Sequence, residues 1–468
     1  MALVKYAVLG VSLILGVSYL FNRGGNQKAP QLGDAWWGPG SEKPVDEAVR
    51  PFKIKFSNED INDLKARLKN TRNLKPALEG TGWTYGVNGG FVPTIIDHWM
   101  NKYNFTERQE YLNKYPQFVT NIQGLDIHFL HVKPNNAGGK KVLPLLIQHG
   151  WPGSVIEMYK IIPMLTTPRD EFDFVFEVIV PSLPGYGFSS GTTKPGLGSA
   201  QMAVILKNLM LRLGFKKFYT QGGDWGAIIT ANLASMFPQH VLGMHSNMCI
   251  VMQPQTFLTT YIYSFWPSML IPEEDYHLMY PLSEKWSRTL EESGYLHIQA
   301  TKPDTLGVAL TDSPAGLAAY ILEKFSTGTN PELRFKDNGG LLDKYSADEL
   351  LDNVMLYWIP NSMTTAMRLY AEHFSAAHMA LGMEYVPIDV PSACAQFPHE
   401  ISYQPPSLLS ARFKKLIRAR KMPRGGHFAA FEEPQLLADE IWTSIGIMEA
   451  GRKQSQASKA SKASKKSA

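Results

Sequence analysis

The sequence has few cysteines, few charged residues and no internal repeat. Only two of its 468 residues are cysteines, Cys249 and Cys394, which excludes a disulfide-rich scaffold. We expect no disulfide framework, a usage typical of a reducing compartment. Charged residues make up only 19% of the chain, against 44% hydrophobic residues. Such a composition is sufficient to bury a large core and allows more than one domain.

The chain also lacks the patterns of a metalloprotein, a nucleotide-binding protein or a nucleic-acid reader. It has no cysteine–histidine cluster and no phosphate-cradling glycine loop, so we expect neither a metal nor an organic cofactor. The formal charge of +4 comes from the C-terminal end, where residues 452–468 carry six lysines or arginines and no acid. The repetitive Ser-Lys-Ala composition there predicts a disordered basic tail over residues 451–468.

An apolar run lies at the N-terminus, from Tyr6 to Phe21, between Lys5 and Arg23. This pattern predicts a single membrane anchor over residues 1–23. A cleavable signal peptide is the alternative, with small residues at 16–18, but bulky residues follow them inside the apolar run. Positive charge is divided too evenly between the two flanks to fix the orientation of an anchor.

The most informative motif is Gly222-Gly223-Asp224-Trp225-Gly226. It follows a short apolar strand predicted over 217–221 and precedes a helix predicted over 227–236. A strand, a glycine-rich turn and a helix form the nucleophile elbow of an α/β hydrolase, which lifts one side chain above the sheet. That side chain is an aspartate here, and an aspartate attacks carbon to give an ester that water must hydrolyse. Such chemistry suits epoxides and alkyl halides, whereas an ordinary tight turn remains the alternative for the motif alone.

Two further segments supply partners in the expected chain order. The strand predicted over 142–148 ends in His149-Gly150-Trp151-Pro152-Gly153-Ser154, and a loop in this place supplies one N–H of an oxyanion hole. We therefore expect the backbone N–H groups of Trp151 and Trp225 to form that hole.

The general base and its acid are predicted near the C-terminus. His427 lies in a glycine loop after the last predicted strand, where this fold places its base. Glu400 follows the strand predicted over 390–397 and is the preferred acid. Asp389, which precedes the same strand, is the alternative, although it lies at the wrong end for a site at the carboxyl edge of the sheet.

With these segments assembled, the chain resembles the microsomal epoxide hydrolase family, and within it the juvenile-hormone epoxide hydrolases of arthropods. The resemblance extends from the Trp36-Trp37-Gly38-Pro39 segment to about Ile447. It is carried by these motifs in order: residues 149–154, Pro184-Gly185-Tyr186-Gly187-Phe188-Ser189, residues 222–226, residues 319–326 and Gly425-Gly426-His427-Phe428.

The resemblance implies a role for each matching residue. Asp224 matches the family's nucleophile, Glu400 its acid and His427 its base, while Tyr295 and Tyr370 match two tyrosines that bind the epoxide oxygen. It also implies lipophilic epoxides as substrates, among them juvenile hormone and xenobiotic epoxides, and a catalytic domain on the cytosolic face of the endoplasmic reticulum. One departure is Gly328, which stands where many relatives have tryptophan, and a wider or reshaped pocket is expected from it.

The expected architecture is an α/β-hydrolase fold with a helical cap. The segments are a membrane anchor (1–23), an N-terminal extension around core and cap (24–134), the first part of the core (135–251), the cap (252–384), the second part of the core (385–450) and the basic tail (451–468). The oligomeric state is not predicted.

Two other functions are compatible with parts of this pattern. A haloalkane dehalogenase uses the same ester chemistry, and Trp225 suits halide binding, but a halide leaves without needing the two tyrosine donors. An inactive carrier of hydrophobic ligands is a second alternative, which a missing catalytic residue would favour. A serine esterase is disfavoured because the elbow residue is Asp224.

Overall fold

The computed structural model describes residues 27–466, and the predicted membrane anchor lies outside them. Its centre is one sheet of nine strands in the order β1-β2-β3-β5-β4-β6-β7-β8-β9. The strands are β1 (Arg50–Phe52), β2 (Gln117–Ile122), β3 (Leu125–Val132), β4 (Lys141–Gln148), β5 (Phe174–Pro181), β6 (Phe218–Gly222), β7 (Val241–Ser246), β8 (Ser392–Gln396) and β9 (Leu416–Lys421). Strands β1, β2 and β3 form an antiparallel edge, and β3 also pairs antiparallel with β5. Strands β4 to β9 all run parallel to one another.

Helices cover both faces of this sheet and fill the connections between its strands. Those before and within the first part of the sheet are α1 (Asn58–Lys69), α2 (Val92–Asn101), α3 (Phe105–Leu112), α4 (Ile162–Thr166), α5 (Ser199–Arg212) and α6 (Trp225–Met236). Between β7 and β8 lie α7 (Pro254–Tyr263), α8 (Tyr276–Met279), α9 (Leu282–Glu292), α10 (Gly294–Thr301), α11 (Pro303–Asp312), α12 (Pro314–Thr329), α13 (Leu341–Lys344), α14 (Ala347–Trp358), α15 (Met363–His373) and α16 (Ala376–Met379). The last are α17 (Pro406–Leu409), α18 (Ala429–Glu432) and α19 (Pro434–Lys466).

The central strands are largely buried because helices cover both faces of the sheet. On β4, Leu145, Leu146 and Ile147 are completely buried. On one face Trp442 of α19 stacks on Phe174 of β5 at a ring separation of 5.3 Å. The opposite face packs against α5 and α6. This packing holds the carboxyl ends of the parallel strands in fixed positions, and loops at these ends form the site of an open α/β sheet.

The expectation that the two cysteines form no disulfide is wrong, because Cys249 and Cys394 are joined by one, with their Cα atoms 6.0 Å apart. They lie 145 residues apart in sequence, but Cys394 is on β8 and Cys249 follows the neighbouring strand β7. Cys394 on β8 pairs with Ser246 at the end of β7, three residues before Cys249. A cysteine count carries no information on this proximity. The inference of a reducing compartment therefore loses its support.

The C-terminal segment also differs from its predicted state. Helix α19 continues to Lys466, so residues 451–466 are helical where the composition predicts disorder. Alanine and lysine are strong helix formers, and α19 is already nucleated on the core by its first turns. Their helix propensity accounts for the difference.

Within residues 27–466 no single helix is both long and apolar enough to cross a membrane. The bent pair α11 and α12, which meet at 118°, passes the same test of length and composition when taken together.

Candidate functional site

Asp224 occupies a strained turn between β6 and α6. Its backbone has φ 50° and ψ −129°, a conformation that non-glycine residues rarely adopt. The glycines around it are required by close backbone approach, since a Cβ on Gly226 would lie 2.2 Å from the carbonyl oxygen of Gln148. One on Gly222 would lie 2.3 Å from the backbone of Gly226. The turn therefore has the strained geometry of a nucleophile elbow.

The loop after β4 holds one oxygen of this carboxylate. The backbone N–H of Trp151 donates to Oδ1 of Asp224 over 2.8 Å. A Cβ on Gly150 would lie 2.2 Å from the same oxygen, so glycine at this position makes room for the carboxylate. The second predicted donor, the N–H of Trp225, belongs to the first residue of α6, where backbone N–H groups have no partner within the helix.

The structure brings His427 between the predicted nucleophile, Asp224, and the preferred acid, Glu400. Its Nδ1 lies 2.6 Å from Oε1 of Glu400, and its Nε2 lies 3.4 Å from Oδ2 of Asp224. The backbone N–H of His427 also donates to the carbonyl oxygen of Gly328 over 2.8 Å, which fixes its loop against α12. Asp389 is exposed in the segment that precedes β8, so the geometry favours Glu400 over this alternative.

The charges around His427 favour its protonated form. Burial alone would lower the pKa of the imidazole, but the charge of Glu400 and the hydrogen bonds to Asp224 and Glu400 raise it well above the ordinary value. Both ring nitrogens then donate to carboxylates. The resting site therefore favours an imidazolium between the carboxyl groups of Asp224 and Glu400.

Tyr295 of α10 and Tyr370 of α15 meet above the elbow. Their ring centres are 6.1 Å apart, and Tyr295 stacks on Trp151 at 5.1 Å. Tyr370 packs edge-on against Trp225 at 4.7 Å. Burial, together with the nearby charge of Asp224, raises the pKa of both phenols above the ordinary value. Both remain protonated at neutral pH and are therefore available as hydrogen-bond donors.

Two buried glutamates lie near His427 that the sequence motifs did not predict as site residues. Glu157 lies in a short 3-10 helix, Val155–Tyr159, and lines a cavity with Asp224 and His427. Glu432 of α18 accepts the backbone N–H of Phe428 at 3.1 Å. Burial raises the pKa of each carboxyl to about 8. Neither lies in a recognisable motif, and only the packing of their segments against the histidine loop brings them here.

The substitution at Gly328 does not open extra room at its own position. A Cβ there would lie 2.7 Å from the ring of Phe428, which stacks on Phe325 at 4.1 Å. Phe428 fills the space beside this glycine, so the expected wider pocket is not found at this point. A larger residue would have to displace that ring and the adjacent histidine loop.

Within residues 27–466 no group of three histidine, cysteine or acidic side chains is arranged to hold a metal ion. The polar groups of the site include one carboxylate on a strained turn, one histidine–acid pair, two phenols and the carboxyl of Glu157.

Comparisons with known proteins identify the family of this chain. A family model described as the epoxide hydrolase N terminus matches residues 49–158, and one described as the alpha/beta hydrolase fold matches residues 144–273. Juvenile hormone epoxide hydrolase 1 of Ctenocephalides felis is 55% identical over 412 residues, which cover 88% of this chain and 89% of that protein. Epoxide hydrolase 1 of Sus scrofa is 46% identical over 449 residues, which cover 94% of this chain and 99% of that protein.

A solved structure extends the similarity to three dimensions. The crystal structure of juvenile hormone epoxide hydrolase from the silkworm Bombyx mori superposes with a TM-score of 0.88 at 48% identity. The match covers 90% of this chain and 99% of that chain. It therefore includes the sheet, the helical insertion and the segment before the core.

Proposed function

The chain belongs to the epoxide hydrolase family and is an epoxide hydrolase of the juvenile hormone type, and we propose that it hydrolyses lipophilic epoxides to vicinal diols through an ester on Asp224. The observation that carries this mechanism is the pair of contacts made by the Asp224 carboxylate. Trp151 holds Oδ1 at 2.8 Å, and Oδ2 faces His427 at 3.4 Å. A carboxylate fixed in this way has one oxygen directed for attack.

In the first step the epoxide lies between the carboxylate and the two phenols. Tyr295 and Tyr370 donate hydrogen bonds to the epoxide oxygen while Asp224 attacks a ring carbon. The C–O bond of the ring breaks, and one phenol gives its proton to the new alkoxide. That phenol regains a proton from the imidazolium of His427 through solvent, which leaves a hydroxyalkyl ester on the enzyme beside a neutral His427. In this role the helical insertion is a cap that places both donors opposite the nucleophile.

In the second step water hydrolyses this ester. His427, oriented by Glu400, removes a proton from water, and the water oxygen attacks the ester carbonyl carbon. The backbone N–H groups of Trp151 and Trp225 stabilise the resulting oxyanion, an effect worth about 3 kcal/mol for each donor. Collapse of the intermediate releases the diol and restores the carboxylate.

Mass spectrometry of the His427→Gln variant tests this mechanism. After exposure to an epoxide that resembles juvenile hormone, the variant should retain an adduct of substrate mass on the peptide that contains Asp224. The Asp224→Asn variant is the matched control and should carry none. If the wild type forms diol but His427→Gln carries no adduct, the ester mechanism or the assignment of His427 is wrong. Halide release without diol formation would favour the dehalogenase alternative.

The preferred substrates are proposed to be lipophilic epoxides, with juvenile hormone as the first candidate. The support is the similarity to the juvenile hormone enzymes of two insects. Comparing kcat/KM for juvenile hormone with that for an aromatic epoxide of similar size separates a hormone-degrading enzyme from a detoxifying one. A higher value for the aromatic epoxide would contradict the juvenile-hormone assignment.

A membrane location is proposed for this enzyme from two features. The first is the apolar run at residues 6–21. The second is an exposed face on α7 and the segment after it, formed by Phe257, Tyr261, Phe265, Trp266 and Met269. Aromatic residues of this kind favour the interface between lipid and water.

The described chain also begins close to this face. Gln27 donates to the carbonyl oxygen of Leu381, and Gln253, just before α7, donates to that of Glu384. Labelling of the full chain in phosphatidylcholine vesicles with a lipid-dissolved carbene reagent tests the proposal. Peptides 1–23 and 254–270 should be modified, whereas the exposed Leu342 should not. Absence of label from both peptides would contradict it.

The side of the membrane is testable at Asn104, which begins an Asn-Phe-Thr glycosylation sequence and is exposed. We propose a cytosolic catalytic domain, as the family resemblance implies, and expect no shift in mass after glycosidase treatment. The disulfide is typical of an oxidising compartment and so favours the opposite, lumenal orientation. A glycan on Asn104 would show that the catalytic domain is lumenal and would contradict the proposed orientation.

A further inference from the structure

A small cavity lies beside the nucleophile. Asp224, His427 and Glu157 line it together with loop residues that follow β4 and β7. Its volume, about 20 Å³ for the centre of a water-sized sphere, is sufficient for one water molecule. Neither Tyr295 nor Tyr370 is among the described residues that line it. The cavity is therefore separate from the side on which the phenols would bind an epoxide.

Glu157 reaches this cavity because a glycine makes room for it. A Cβ on Gly153 would lie 1.6 Å from Oε1 of Glu157, so any other residue would displace the carboxyl. The same loop uses Gly150 to make room for Asp224. Two glycines three residues apart thus admit two carboxyl groups to one cavity.

The carboxyl of Glu157 is neutral in this environment. Its pKa is raised to about 8, mainly by burial; the charge of His427 lowers it and that of Asp224 raises it. The other titratable groups packed nearby are Glu432, Tyr345 and Tyr357, and no lysine or arginine of the described chain pairs with Glu157. A neutral carboxyl is both a donor and an acceptor of hydrogen bonds. It can therefore accept a hydrogen bond from one O–H of a water molecule while the second O–H of that water is directed at His427.

We propose that Glu157 is a positioning residue that holds the hydrolytic water against His427 and the ester carbon of Asp224. This inference rests on the proposed ester mechanism. The water gives one proton to Nε2 of His427, and its oxygen bonds to the carbonyl carbon of the ester. The bond from that carbon to the alkyl oxygen then breaks, and the alkyl oxygen takes the proton from His427. The carboxylic acid left on Asp224 gives its proton to Nε2 of His427, which restores the carboxylate and the imidazolium. Glu157 keeps its own proton throughout.

Single-turnover kinetics of full-length Glu157→Leu and Glu157→Gln variants test this role. Ester formation and ester hydrolysis are measured separately by rapid quench and mass spectrometry with a juvenile-hormone-like epoxide. We expect Glu157→Leu to form the ester within about 2-fold of the wild-type rate and to hydrolyse it at least about 10-fold more slowly. Glu157→Gln should restore hydrolysis to within about 3-fold, because an amide both donates and accepts.

A matched variant separates positioning from a general effect of removing a buried carboxyl. Glu432→Leu removes a carboxyl that also lies near His427 but does not line the cavity. It should lower the Tm without changing the ratio of the two rates. If Glu157→Leu does not fold, Glu157→Asp, whose carboxyl is one methylene shorter, should slow hydrolysis in the same selective way.

The outcomes distinguish this inference from the proposed function. Equal slowing of both steps in Glu157→Leu, or unchanged hydrolysis, would overturn the role of Glu157 and leave the ester mechanism intact. A wild-type enzyme that forms diol without any ester would overturn both.

Discussion

The backbone N–H of Trp151 donates to Oδ1 of Asp224, whose other oxygen lies 3.4 Å from Nε2 of His427. The two carboxylate oxygens are therefore in different environments. In the proposed mechanism Oδ1 remains the carbonyl oxygen of the ester, since the N–H that holds it also stabilises the later oxyanion. Oδ2 forms the bond to the substrate.

Removal of either phenol should slow the first step. In Tyr295→Phe and Tyr370→Phe one donor remains, and we expect ester formation to fall by about 10²-fold in each. The double variant should lose much more, because no donor then reaches the epoxide oxygen. Stopped-flow measurement of ester formation gives these rates. Unchanged hydrolysis of a preformed ester is the control, and a double variant as fast as either single variant would contradict the assignment.

Removal of the charge of Glu400 should weaken His427 as a general base. Glu400→Gln keeps the shape of the side chain but removes the charge that raises the pKa of His427. We expect diol formation to fall by about 10²-fold or more, by analogy with the loss of the acid in other triads. Asp389→Asn, at an exposed position, should have no effect. Steady-state kcat for the two variants shows whether Glu400 or Asp389 is the acid that orients His427.

The stability of the protein should depend on pH through Glu432. Its pKa is about 8 in the folded state, against 4.5 as the ordinary value, so the folded protein retains a proton that the unfolded chain releases. The free energy of unfolding should therefore fall as pH rises from about 4.5 to about 8, by a few kcal/mol. In Glu432→Gln this contribution should vanish.

Urea unfolding of both proteins at several pH values measures the difference. A gap between variant and wild type that stays constant between pH 5 and pH 8 would show that Glu432 is not protonated in the folded protein.

The disulfide should stabilise the fold. Reduction, or the double substitution Cys249→Ser and Cys394→Ser, removes a link across 145 residues of sequence. In the chain-entropy model such a link contributes about 4 kcal/mol. We expect a lower Tm for the double variant. Reductant should lower the Tm of the wild type but not that of the double variant; a wild-type Tm that is insensitive to reductant under unfolding conditions would contradict a formed disulfide.

The sequence predicted the elements that carry the main motifs, because these elements have strong local signals. The strand predicted over 142–148 corresponds to β4, and the glycine-rich turn at 222–226 lies between β6 and α6. Tyr295 and Tyr370 were placed only through a family resemblance, since phenols have no local signature of function.

Features that depend on distant packing were missed or wrongly predicted. The disulfide joins two cysteines that only the order of the strands brings together. Glu157 lies four residues after Gly153, yet its entry into the site depends on the absence of a side chain at that glycine. The helical state of residues 451–466 depends on continuation from a helix already packed on the core.

The coupling between Asp224 and His427 sets the order of events in the proposed mechanism. While Asp224 is charged, it helps to keep the imidazole protonated, so the histidine is unable to activate water. Conversion of Asp224 to an ester removes that charge and lowers the affinity of His427 for its proton. Formation of the ester therefore makes His427 able to activate the water that hydrolyses it. Water is activated only while the ester is present, and in the empty enzyme His427 is protonated and inactive as a base.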